Sequence, residues 1–491
     1  MKTGALRPTV RFLPDSLIDR IVSEARDVLC TLGTEVSNEE ASAILLSAGA
    51  RKVPGTGRIL LREEMIDVAL KSAPSSFKLH DRDGEVRADL GGDRVHFTPG
   101  SAAINVLDAA DGRIRPPLTS DYVRYARLVD QLPSIDYQST ALIPSDVHEK
   151  IADGYRLYLS LIYGPSPVVK GAFTVEGLAP MIDLLVAVRG DRKALAEAPL
   201  AVFSCCPTAP LKWSKETSQN VIDCARARIP VEFVSMPLTG FVAPGTLVGT
   251  LVQHTAETLT GLVLSQAAGP GAPVLWGGSP AVFDYRYETT PVGAVETQMI
   301  DCAYAEIGKR LGLPTQAYIS LSDSKSVDAQ AGMEGASGAI LAALAGINSV
   351  SGPGMLDFES CQSLEKLVLD NEIVSAAKRV VAGITPREGD FPSLPHFHEL
   401  LREGHSLIAD HTRRWIREEV WFPGPVIDRA NRPRFLEEGG LPLMERARRQ
   451  VDALLAKPPR LIDGERRRRL DEIMLRAAKA VGMEKLPPHG A

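Results

Sequence analysis

Long apolar runs are missing from this chain. The longest stretches, such as Ile340 to Ile347, fall well short of the ~18 residues that a membrane span requires. The opening Met1-Lys2-Thr3-Gly4 leads into Arg and Pro instead of an apolar segment, so no signal peptide is expected. Cysteine is sparse: six residues, with no CxxC pair and no metal-ligand spacing. That pattern argues for reduced thiols in a cytoplasmic protein without a metal site. No basic excess exists either, since the formal net charge is -6, and nothing suggests a nucleic-acid face. The arginine run Arg466 to Arg469 sits in a tail helix and is read as facing solvent. No GxGxxG follows any candidate strand, which argues against a dinucleotide-binding open sheet. Aromatics amount to only 5%.

What is present is a rhythm. At 491 residues and 44% hydrophobic, the chain can bury one large core or two modest ones. Its first part carries helical spacing over Leu17–Leu32 and Asn38–Ala48, then short alternating runs from Phe77 to Val106. Asp-Gly turns between those runs indicate antiparallel hairpins, with Asp108 to Gly112 closing the next piece. From Ser134 onward the pattern is strand, polar turn, helix. Strands are expected at Ile135–Ile143, Pro167–Phe173, Pro199–Cys205, Val231–Met236, Pro273–Trp276, Thr315–Leu321 and Asn348–Ser351. Each precedes a helical stretch. Seven such repeats argue for an α/β protein built on a (β/α)8 TIM-type barrel. The eighth strand is expected after Gly383, where Pro386, Pro392 and Pro395 obscure it. The expected division is an N-terminal α+β elaboration over 1–130, a barrel over 131–410 and a helical C-terminal extension over 411–491. A doubly wound open sheet is the competing fold.

In a barrel, chemistry gathers where strands hand over to helices. Those turns are rich in Gly and Pro, including Gly171-Ala172-Phe173-Thr174, Trp276-Gly277-Gly278-Ser279-Pro280 and Ser351-Gly352-Pro353-Gly354. The richest is Ser322-Asp323-Ser324-Lys325, followed by Asp328-Ala329-Gln330-Ala331-Gly332 and later Val368-Leu369-Asp370-Asn371-Glu372. Gly and Pro either shape these loops or let backbone close around a small ligand. His396, His398, His405 and His411 lack carboxylate or cysteine company and are read as surface histidines.

That wording, with Ala209-Pro210-Leu211-Lys212, Pro237-Leu238-Thr239-Gly240 and Trp421-Phe422-Pro423, resembles the trimethylamine methyltransferase family from about Gly33 to Leu454. The resemblance implies a (β/α)8 barrel that passes a methyl group from an amine to the cobalt of a separate corrinoid protein. It also implies no cofactor bound by this chain, because the cobalamin travels on the partner. Members that act on trimethylamine carry pyrrolysine; this chain has only standard residues, as do relatives resembling demethylases of quaternary amines such as betaines. Alternatives are methyl transfer from a sulfonium or other methylated small molecule, and a non-catalytic binder of methylated osmolytes. A homo-oligomer is expected. Asp146-Val147-His148 begins like a corrinoid-binding motif, but Ile151 stands where glycine is needed.

A quaternary ammonium cannot donate strong hydrogen bonds, so aromatic faces or carboxylates must meet it. Trp276, Tyr318 and Phe358 are the leading aromatic candidates, with Phe283, Tyr285 and Tyr287 nearby; each has core packing as its ordinary alternative. Asp323 would balance the ligand's charge and Lys325 would meet a carboxylate on it. The competing reading is an Asp323–Lys325 contact that only orders the loop. Glu296 is either a helix-start carboxylate or a ligand contact. Gln316 occupies a place where betaine-using relatives are expected to carry a basic residue, so a substrate carboxylate would be met differently or be absent.

Overall fold

The computed structural model describes residues 6–108, 111–171 and 175–489. Eight short strands form its centre: β1 (His96–Thr98), β2 (Gln138–Ser139), β3 (Val168–Gly171), β4 (Ala201–Cys205), β5 (Val231–Ser235), β6 (Val274–Gly278), β7 (Gln316–Tyr318) and β8 (Ser349–Ser351). They pair in parallel from β2 through β6, and from β7 through β8 to β1. Trp276 bridges to Thr315 across the β6–β7 seam. At the β1–β2 seam Asp136 N–H donates to the Phe97 carbonyl at 2.9 Å, and Phe97 N–H returns a bond to the Asp136 carboxylate at 2.8 Å. The ring is therefore closed.

A helix follows each strand: α1 (Thr119–Val129), α2 (Glu149–Tyr163), α3 (Val175–Arg189), α4 (Lys215–Ala227), α5 (Leu247–Ala268), α6 (Val295–Arg310), α7 (Ala329–Ala345) and α8 (Leu364–Val381). Sharp strand-to-helix turns are possible because side chains take up the free N–H groups at helix starts. Ser214, Thr246, Asp328 and Ser363 do this for α4, α5, α7 and α8.

The expected (β/α)8 barrel is present, but its eighth strand is not beyond Gly383. It is β1, inside the stretch expected to be the N-terminal elaboration. Past Gly383 the chain instead forms helices Leu394–Glu403 and Asp410–Glu419, where prolines remove the N–H donors a ladder needs. The turn 172–174 lies outside the described residues.

Preceding β1, the antiparallel hairpin Ser76–His80/Val86–Gly91 closes the N-terminal end of the barrel. Its Leu79, Ala88 and Leu90 pack with Tyr137, Val169, Val202 and Leu275 from the barrel wall. Outside, helix Asp15–Thr31 lies on α5, Leu443–Leu455 bridges α8 and α1, and Gly464–Ala480 covers α2 and α3. Among the described residues no helix is long and apolar enough to cross a membrane.

Candidate active site

Side chains alternate between the two faces of a strand, so the inward residues of each barrel strand come two apart. Above the apolar floor the next inward positions are small or polar: Ser139, Gly171, Ser204, Gly277 and Ser351. Loss of bulk there leaves room at the C-terminal mouth. Glu232 of β5 is aimed into this space and is fully buried. Ser204 Oγ donates to its Oε1 at 2.6 Å, the Tyr318 hydroxyl acts on the same carboxylate, and Oε2 has no partner. Burial pushes the Glu232 carboxyl up to about 7.

Glu359 comes to the same place from the loop after β8. Asp357, Phe358 and Glu359 all have left-handed backbone, with φ of 49°, 56° and 71°. Three such residues in succession cost free energy, roughly 1–3 kcal/mol each, and persist where surroundings impose them. The kink delivers Glu359, whose Oε1 accepts the Ser101 N–H at 3.3 Å. Burial pushes its carboxyl up to about 8, and neighbouring Glu232 adds to the push. Asp301 of α6 is a further acid, fully buried, both oxygens lacking hydrogen-bond partners. Burial holds it well above the usual carboxylate range, with Glu359 contributing.

Gln316 of β7 faces inward beside Gly277, where a Cβ would stand 2.3 Å from its Oε1. Only glycine leaves the amide room to reach across and accept the Gly278 N–H at 3.2 Å. That bond turns Nε2 the other way, buried and without a partner. Thr98 Oγ1 and Ser351 Oγ on the adjoining wall are likewise buried and without partners. The mouth thus combines buried and half-buried carboxyls with unpartnered neutral hydrogen-bonding groups. Such an acid-rich set suits a small cationic molecule.

A family model described as trimethylamine methyltransferase (MTTB) matches residues 4–482. The chain belongs to the trimethylamine methyltransferase family. It is 29% identical over 485 residues to the glycine betaine methyltransferase of Desulfitobacterium hafniense strain Y51, covering 98% of this chain and 100% of the relative. Against the trimethylamine methyltransferase MttB of Desulfitobacterium hafniense strain DSM 10664 / DCB-2, identity is 29% over 441 residues, covering 90% and 88%. The MttB of Methanosarcina thermophila is 34% identical over 368 residues, covering 74% and 76%. The protein is a methyltransferase.

Of the residues singled out in this trimethylamine methyltransferase family member, Tyr318 and Gln316 are brought together inside the barrel with Glu232 and Glu359. Trp276 is not. It takes the outward parity of β6, between Leu275 and Gly277, and its indole N–H donates to the Tyr304 carbonyl of α6 at 3.0 Å. Its ring packs against His254 and Gly308 in the helix layer, so it does not line the mouth.

Asp323 is buried with both oxygens engaged by backbone. Val292 N–H donates to Oδ1 at 2.9 Å and Gly293 N–H to Oδ2 at 3.0 Å, just ahead of α6. Burial pushes its carboxyl up to about 6. Glu334 of α7 secures the same loop, accepting from Ser322 Oγ at 2.6 Å and Asp323 N–H at 2.9 Å. Lys325 Nζ donates to the Asp323 carbonyl at 2.8 Å and lies 3.9 Å over the Phe358 ring, 3.6 Å from Asp357. Its geometry is that of a loop-ordering contact, and it covers the Phe358 face that an onium would use. Glu296 is solvent-exposed in the first turn of α6. Tyr287 is 73% exposed on the rim, beside Arg286.

Glu232 and Glu359 are not among the residues expected from the sequence; Glu232 lies inside a strand and not in a turn. The signal for Glu232 was available: one acid within Val231-Glu232-Phe233-Val234, an otherwise apolar strand. Nothing local marks Glu359.

Proposed function

We propose that this methyltransferase moves a methyl group from a quaternary amine, held in the barrel mouth, to the Co(I) of a separate corrinoid protein. The observation that carries this reading is the fully buried Glu232 with the half-buried Glu359 beside it, and unpartnered polar groups around them. Ionised carboxylates without partners are costly in a buried site. A permanent cation that cannot donate hydrogen bonds offsets that cost and finds little else it needs. The relatives are named for trimethylamine and for glycine betaine, both methylated amines.

In this reading Glu232 and Glu359 hold the onium, Tyr318 packs beside it, and Ser204 keeps the Glu232 carboxylate oriented. The wall of β6 and β7 aims one methyl toward the rim, and the enclosed mouth excludes water. The partner's corrinoid supplies the Co(I) nucleophile, and the C–N electron pair stays on nitrogen so that a neutral tertiary amine leaves. No general acid is required of this chain. Its residues suit a corrinoid carried elsewhere: His148 caps its own helix, accepting from Lys150 N–H at 3.2 Å.

Two rim loops offer the partner a surface. Leu238–Thr239 and Ala281–Val282 pair in parallel, and Phe241 stacks on Phe283 with ring centroids 4.8 Å apart. Phe241 and Tyr285 are 64% and 67% exposed, an apolar patch of the kind that marks interaction sites. Six free cysteines suit the cytoplasm.

The test supplies purified protein with reduced corrinoid protein and a panel of quaternary amines, and follows the corrinoid absorption spectrum. Methylation dependent on both this chain and an onium is expected. No spectral change with any quaternary amine contradicts the proposal.

A further inference from the structure

Resting on that reading, we infer that the substrate is a quaternary ammonium without a carboxylate, of the trimethylammonium-alcohol class, in which a neutral hydroxyl replaces the acid of a betaine. The ionisable groups acting on Glu232, Glu359 and Asp301 are other acids, and neutral hydroxyls accompany them; none is a lysine or arginine. Among the described residues the nearby cations are engaged elsewhere. Lys170 has the outward parity of β3 and pairs with Asp153 of α2 at 3.0 Å. Lys366 pairs with Asp370 on α8, behind the mouth. Lys325 stays on the rim, against Phe358 and Asp357.

A betaine carries its carboxylate a few bonds from the onium. Bound here, that carboxylate would lie among acids, and like charges at such range are strongly unfavourable in a buried site. The groups left open are neutral. Gln316 Nε2–H is buried and unpartnered, its Oε1 held by the Gly278 N–H, and Thr98 and Ser351, paired with each other on β1 and β8, carry further unpartnered hydroxyls. A hydroxyl fits this set as acceptor and donor at once.

The experiment is calorimetric titration of the purified chain at pH 8.5 with choline, tetramethylammonium and glycine betaine. Binding needs no corrinoid partner, so it is read apart from turnover. Choline is expected to bind on the order of 100-fold more tightly than glycine betaine. Gln316→Leu should weaken choline while leaving tetramethylammonium within about threefold. Glu359→Gln and Glu232→Gln should each narrow the choline-to-betaine ratio at least ~10-fold. Equal or tighter binding of glycine betaine overturns this inference and leaves the quaternary-amine reading standing. A ratio unmoved by either glutamate substitution in folded protein also overturns it. Binding of no onium at all overturns both.

Discussion

The two halves of the barrel interior are built from the same strands and differ in one step along each. At the floor, Tyr137, Val169, Val202 and Leu275 meet the hairpin side chains Leu79, Ala88 and Leu90. Two residues further on, the same strands present Ser139, Gly171, Ser204 and Gly277. A strand's period of two turns a substitution of Val by Gly, or Leu by Gly, into a vertical gradient from packed hydrocarbon to polar space. The floor therefore contributes stability, and the mouth gives some of it up. Both features come from residue size at alternate positions.

Breaking the floor should cost most. Leu275→Ala removes buried hydrocarbon from a closed layer and is expected to lower unfolding free energy by about 2–5 kcal/mol. Denaturant titration checks this. Breaking the mouth should do the reverse. Glu232→Gln is expected to weaken onium binding roughly 100-fold, about 2.7 kcal/mol, with stability unchanged or higher. Loss of stability comparable to Leu275→Ala would place Glu232 among the packing residues.

The comparison is sharpened by pH. Burial raises the carboxyls of Glu232 and Glu359 to about 7 and about 8, and they titrate as a coupled pair. Facing them are Tyr318, Tyr137, Cys206 and Asp301, all shifted upward as well. The folded protein holds protons that the unfolded chain releases near pH 4.3. The stability contribution of the pair is thus full below that pH and lost as pH rises through 7 to 8. Onium binding favours the ionised pair, so affinity should rise by up to about tenfold per unit over the same window and level off above it. The smallest effect expected is that of Asp323→Asn. Loss of a charged acceptor for Val292 and Gly293 should cost about 1 kcal/mol of stability and shift KM less than about threefold.

Most of the barrel could be read from the sequence because its signals are local. Seven strands and their helices alternate in period, and capping residues such as Ser214, Thr246 and Asp328 stand at their boundaries. The eighth strand could not be read this way. His96–Thr98 is three residues among hairpin turns, and it is a barrel strand only because β8 lies alongside it. Parity decides the place of Trp276: with Leu275 and Gly277 inward, the residue between them must face the helices. Tyr318 and Gln316 share the inward parity of β7, which alternation along the strand makes readable. Asp323 lies on the loop after β7, and its carboxylate belongs to the backbone ahead of α6, a contact between segments that spacing alone does not reveal.

The central claim is that the acidic pair Glu232 and Glu359 receives the substrate's positive charge. Its most direct test is proton release when tetramethylammonium binds at pH 7.5, from calorimetry in two buffers of different ionisation enthalpy. Roughly one proton released per ligand is the predicted result, falling toward zero in Glu359→Gln with Glu232→Gln combined. Binding with no proton release in the unsubstituted protein would contradict the account.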